Sequence, residues 1–286
     1  LYIYFLETQD FSMKNLYYFL FILFGFLSVF AQKRDTRTFQ QIGDSIVREA
    51  DLLYRYDRAF FRTNDSINYL RSLRKNAGEI LCYQRNDSII ALITDAKIPN
   101  KVLASFDFAY AEDAPNINLH ERYMNAEESN FLDMKHKIMA QVQNNYDIAQ
   151  MEKGQYYNPV FIPFKEKIKG VPMQLYKLYL LTENQERNHI PFGQDYLFYA
   201  NPEGKVIYNL QFNTFNPVPV TQEIVDKSLV ALAYPEREPY LLPTDVMLFK
   251  KYGRFFKLNT LKVKSTAYDV WFVYTDDRST VDVVME

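Results

Sequence analysis

The hydrophobic period changes along this chain, and that change narrows the fold to a mixture of helices and antiparallel sheet. Over residues 38–61, Ile42, Ile46, Leu53 and Tyr56 recur at roughly helical spacing with no intervening proline. Asp65 and Ser66 predict a cap for a second helix over 66–76, with Ile67, Leu70 and Leu73 on one face and Gly78 closing it. The period then shortens. Residues 79–84 and 88–94 are β-prone runs around Asn86-Asp87, which reads as a hairpin, and 101–110 predicts a third strand. Residues 119–145 form the longest helical candidate, and 146–170, with Pro159, Pro163 and Gly170, reads as irregular.

The remainder is strand-rich. Strands are expected over 171–181, 196–200, 205–212 and 228–234, with Asn201-Pro202-Glu203-Gly204 as a strong turn. Pro243-Thr244-Asp245 opens a helix that Gly253 should end, and 261–264 with 268–274 makes a closing hairpin. The expected class is α+β, with a helix-rich N-terminal half and mainly antiparallel sheet in the C-terminal half. The irregular stretch at 146–170 divides 32–150 from 171–286, unless 38–286 is one continuous domain.

The 286 residues, 48% hydrophobic and 24% charged, are enough to bury a core. Formal net charge is −2. Such a balance creates no long-range field for nucleic acid or an anionic membrane, so no nucleic-acid partner is expected. Cys82 is the single cysteine and cannot form an internal disulfide. The 23 Tyr and 23 Phe could line a sugar-binding platform or fill the core and sheet faces, and core filling is the expectation.

The N-terminus predicts a compartment. Met13-Lys14-Asn15 is a short n-region, residues 16–30 are almost wholly apolar, and Val29-Phe30-Ala31 sets small residues at the cleavage positions before Gln32. The apolar run is shorter than the roughly 20 residues that a membrane span needs. Residues 13–31 are therefore read as a signal peptide and 1–12 as an upstream extension foreign to the fold. The expected location is periplasmic or extracellular. Lys33 and Arg34 after the site favour the alternative, an uncleaved anchor at 16–30. The Phe-rich run ending in Ala-Gln resembles those of exported Bacteroidota proteins.

Few residues suggest chemistry. His120 and His136, sixteen positions apart, would lie about 160° apart on one helix and could not share a metal. Asp133 and His136 are one turn apart, a spacing that fits a surface salt link as well as two metal ligands. His189 is read as lying in a loop over 186–191. Cys82 falls between apolar neighbours in a strand and reads as a structural thiol. No nucleophile elbow and no phosphate-binding glycine loop occurs. Glu127-Glu128, Asp276-Asp277 and Glu236 with Glu238 read as solvated surface.

Leu232-Ala233-Tyr234-Pro235, followed by Leu242 and Asp245, has the spacing of the JAB/MPN metalloprotease motif and resembles it over about fifteen residues. Pro235 and Asp245 match. The two histidine positions hold Leu232 and Tyr234, and the serine position holds Leu242. The resemblance thus implies a metal-free relative. Without it, Thr244 or Asp245 is a helix cap. The sequence assigns no catalytic, cofactor-binding or metal-binding residue. The expectation is an exported protein that works by binding, with an envelope or extracellular protein as its partner. The alternative is a hydrolase whose site is assembled from distant residues. Two carboxylates, or a histidine with Asp133 or Glu121, would then converge in one deep pocket.

Overall fold

The computed structural model describes residues 37–110, 114–151, 154–184, 188–212, 216–234, 236 and 238–285. The segments read as upstream extension and signal peptide, and Pro235, lie outside the described residues. Contacts divide the chain at the first turn of its first helix, leaving residues 43–286 as one compact unit.

That helix, α1 (Phe39–Tyr69), runs for 31 residues. Thr38 and Gln41 start it with a reciprocal cap: the Gln41 amide donates to Thr38 Oγ1 (3.2 Å) and the Thr38 amide to Gln41 Oε1 (3.0 Å). The break expected at Asp65-Ser66 does not occur. Ser66 Oγ donates to the Arg62 carbonyl one turn back (2.9 Å), so its hydroxyl caps nothing and the helix continues. A short turn, α2 (Arg71–Arg74), follows.

Strands β1 (Ala77–Arg85), β2 (Ser88–Asp95) and β3 (Lys101–Phe108) form an antiparallel meander, with positive φ at Asn86 in the first turn. Two short strands, β4 (Asn116–Asn118) and β5 (Arg122–Tyr123), both pair with β3. The next helix, α3 (Ala126–Asn145), starts later than its sequence pattern suggests. Asn125 and Glu128 form a capping box that fixes its first turn, and 119–125 is loop and strand.

The stretch expected to be irregular is a long strand. β6 (Gln155–Ile168) and β7 (Val171–Asn184) pair along 14 positions each, turning at Lys169-Gly170, where both φ are positive. Pro159 and Pro163 are tolerated because β6 is an edge strand of the order β10-β9-β7-β6. They are four residues apart and so share one parity toward β7. β8 (His189–Phe192) pairs with β11 (Asn216–Pro219), while β9 (Tyr196–Ala200) and β10 (Val206–Gln211) complete the β6–β7 sheet.

Helix α4 (Gln222–Lys227) precedes β12 (Leu229–Tyr234). Helix α5 (Pro243–Phe256) then connects β12 to β13 (Thr260–Ser265), and these two strands are parallel. β14 (Val270–Thr275) and β15 (Thr280–Met285) finish an order β12-β13-β14-β15. Gly253 does not end α5; Lys257, with φ of 58°, does. The class is α+β. Helices are not concentrated in the first half, since β1–β5 lie there and α4 and α5 lie in the second.

One core joins β1–β3, α3 and the β6–β10 sheet through Leu81, Ile90, Leu92, Phe131, Ile138 and Phe198. α1 covers the other face of the first sheet, where Tyr56, Phe60 and Cys82 line a cavity of about 50 Å³. A second apolar layer forms where Val246 to Phe249 of α5 and the inward residues Leu261, Val263, Phe272 and Tyr274 are all buried. α1 closes on β15 at Gly43, where an added Cβ would meet Val281 Cβ at 3.0 Å.

Candidate functional site

The site begins with an anomaly in α5. After the buried run Val246 to Phe249, the helix carries Lys250 and Lys251 before it reaches solvent. A lysine there must find an acid, because an uncompensated buried charge is strongly unfavourable. Lys250 pairs with Asp51 of α1. Lys251 pairs with Asp57 of α1 (Oδ2, 3.2 Å) and with Glu183 of β7. Asn158 of β6 donates to Asp57 Oδ1 (2.9 Å), Tyr252 donates to Glu183 Oε2 (3.0 Å), and the Lys251 ammonium lies 4.2 Å from the centre of the Phe61 ring. Four elements therefore meet in one network centred on the Lys251 ammonium. Farther along α1, Glu49 accepts from Lys177 and from the Tyr179 hydroxyl, each at 2.7 Å.

Electrostatics follow from that geometry. Burial raises the Asp57 carboxyl and Glu183 raises it further, while Lys251 pulls it back; the outcome is about 6. Burial pulls Lys251 down, but Asp57 and Glu183 more than offset this and hold it above the ordinary lysine value. The amine stays charged and is no nucleophile. Asp57 can exchange a proton near neutrality, and the network approaches solvent through Lys251 and the exposed Tyr156.

Adjoining this network is a pair of carboxyls. Gly193 and Gln194, both at positive φ, turn the chain so that Asp195 enters the core, where the Thr182 amide donates to its Oδ1 (2.7 Å) and Thr182 Oγ1 donates to the Gly193 carbonyl (3.0 Å). Asp245, in the first turn of α5, lies within electrostatic reach of Asp195. Both residues are fully buried. Neither oxygen of Asp245 completes a hydrogen bond, nor does Asp195 Oδ2 or the Thr244 hydroxyl. Burial pushes Asp195 up to about 7, against the pull of the Thr182 amide and with a push from Glu183. Burial and then the Asp195 charge push Asp245 well above the carboxylate range.

Most residues singled out in the sequence lie elsewhere. His120 lies between β4 and β5, outside any helix, and its amide donates to Asn118 Oδ1 (2.9 Å). His136 is on α3 and meets Glu79 of β1, while Asp133 is exposed. His189 opens β8. Cys82 lies in β1 as expected, its thiol pushed up to about 12 by burial. Glu128 and Glu238 are buried, correcting the expectation of solvated surface. Glu128 accepts from both Arg122 guanidinium nitrogens (2.6 and 2.7 Å), the Tyr83 hydroxyl (2.7 Å) and the Asn125 amide (3.0 Å). Asp276 accepts from the Tyr274 hydroxyl, and Asp277 is exposed.

Leu232 and Tyr234 are buried in β12, and Leu242 occupies the cap position of α5 without a side-chain bond. Neither Thr244 nor Asp245 is the cap. The sequence reading missed Asp57, Glu183, Asp195 and Lys251. The signal that could have found them is Lys250-Lys251 directly after an apolar helical run. Among the described residues, no three His, Cys, Asp or Glu side chains converge on a metal position, and no helix is long and apolar enough to cross a membrane. No family model, curated protein or solved structure matches the chain.

Proposed function

We propose that the chain is an exported protein that works by binding, with its buried ionisable groups committed to holding the fold. One observation carries this reading: among the described residues, the buried carboxyls with shifted proton affinity are tied to other elements or sealed in the core. Asp57 and Glu183 clasp Lys251, Glu128 clasps Arg122, and Asp195 with Asp245 is shut away from any substrate. The export half rests on the 13–31 pattern. Purified material from the extracytoplasmic fraction should give an intact mass that begins at Gln32. Membrane-bound product that retains 16–30 would replace secretion with anchoring.

A second reading, a hydrolase assembled from distant residues, draws on the meeting of Asp57, Glu183 and Lys251. Asp57 titrates near neutrality there, and Lys251 is partly open to solvent. In a panel of ester, peptide and glycoside substrates, turnover abolished by both Asp57→Asn and Glu183→Gln in folded protein would select that reading. No turnover, or turnover that both variants retain, would leave the binding reading in place.

A further inference from the structure

Asp195 and Asp245 place four oxygen atoms (Asp195 Oδ2, both Asp245 oxygens and Thr244 Oγ1) in the interior without a completed hydrogen bond. Three of the four belong to carboxyls, which accept but do not donate when ionised. Two ionised carboxylates within electrostatic reach of each other in a dry interior are strongly disfavoured. A proton on one of them removes a charge and supplies the missing donor.

We propose that Asp195 and Asp245 form a proton-binding site that latches the start of α5 to the turn preceding β9. The elements packed around the pair supply Glu183 on β7, Tyr157 on β6, Tyr196 on β9, His189 on β8, and Lys250 and Lys251 on α5. Glu183 repels a charge on Asp195. Burial and Tyr196 hold the Tyr157 phenol up, with a smaller push from Asp195, which keeps it neutral. The lysines already serve Asp51, Asp57 and Glu183. The proton is thus the ligand that the surroundings leave for the pair.

Asp195 is fastened on its other side as well. The Thr182 amide holds its side chain to β7, and the Phe212 amide donates to its carbonyl (2.9 Å). Asp245 is fixed by the first turn of α5. Losing the shared proton would therefore set two fixed charges against each other. The segment that yields is the one that starts α5, a helix whose next turns carry Lys250 and Lys251 into the ionic network. The latch and the network are mechanically one unit.

The sign of the effect is determined. In the unfolded chain both carboxyls lose their protons near the ordinary aspartate value, whereas the folded pair retains at least one to higher pH. The stabilisation is fully present below the unfolded value and is lost as pH rises through the folded one. The test is thermal unfolding of the full chain between pH 5 and 9, with infrared spectroscopy of the protonated-carboxyl band. The wild-type midpoint should fall by about 5–10 °C across that range. Asp195→Asn and Asp245→Asn should each flatten the fall, and Asp245→Asn should remove a carboxyl band that persists at pH 8 in the wild type, above the range in which Asp57 titrates. If either variant does not fold, the wild-type band that remains above the Asp57 range decides alone. A band that disappears near pH 4, or a slope that both variants share, would overturn the proposal. So would stabilisation by calcium that Asp245→Asn abolishes, since the pair would then bind a metal cation.

Discussion

Single residues carry unusually large roles where one side chain satisfies several elements. Glu128 caps α3, neutralises Arg122 and receives the Tyr83 hydroxyl, all from a side chain that is 3% exposed. Burial alone would raise its carboxyl, but the Arg122 fork, the phenol and the amide hold it below the ordinary glutamate value. Its stabilisation is therefore present above that ordinary value and is lost as pH falls through the lowered one. Glu128→Gln should cost about 2–3 kcal/mol in urea unfolding at pH 7. The gap from wild type should narrow as pH falls to 3, because protonation removes the same charge. Glu128 also shows how far a local pattern can be read. Asn125-x-x-Glu128 has the polar spacing of a capping box, yet the Arg122 and Tyr83 partners come from neighbouring strands that the sequence does not place beside it.

At the scale of elements, the sequence is legible where a turn dictates its own geometry. Asn86-Asp87 turns β1 into β2, and Asn201-Pro202-Glu203-Gly204 turns β9 toward β10, with the Gly204 amide donating to the Asn201 carbonyl (2.9 Å). Gly204 has φ of 72°, and an added Cβ would lie 2.7 Å from Met134 Sδ of α3. Gly204→Ala should therefore destabilise by about 1–2 kcal/mol in denaturant unfolding. Gly253 looked like a similar stop signal but sits inside α5, where an added Cβ meets its neighbours no closer than 3.4 Å. Gly253→Ala should be neutral or stabilise by up to about 1 kcal/mol in the same measurement. β6 was illegible because prolines normally argue against a strand; its position at a sheet edge removes the objection only once the sheet is assembled. The ionic network was illegible for the same reason. Asp57, Glu183 and Lys251 come from α1, β7 and α5, and only the completed fold brings them to one ammonium.

For the molecule as a whole, two groups of carboxyls act in opposite senses. Glu128 and Glu79 are held below their ordinary value, so their contribution fades toward acid. Asp57, raised to about 6, and Asp195, raised to about 7, favour the protonated fold, so their contribution is complete below 3.8 and fades as pH climbs through 6 and 7. The thermal midpoint should therefore peak on the acid side of neutrality, at about pH 5. A flat profile from pH 4 to 8, measured by calorimetry, would show that these groups do not govern stability. The reach of α1 has a different consequence. Its ties to Lys177, Lys250 and Lys251 span 128, 199 and 194 positions of chain. Such contacts give a high contact order, and chains of that kind fold on a scale of about milliseconds to seconds. The helix synthesised earliest in the described chain is thus among the last to be completed, and Asp51 and Asp57 stay without their lysines until 199 and 194 further positions of chain have been made.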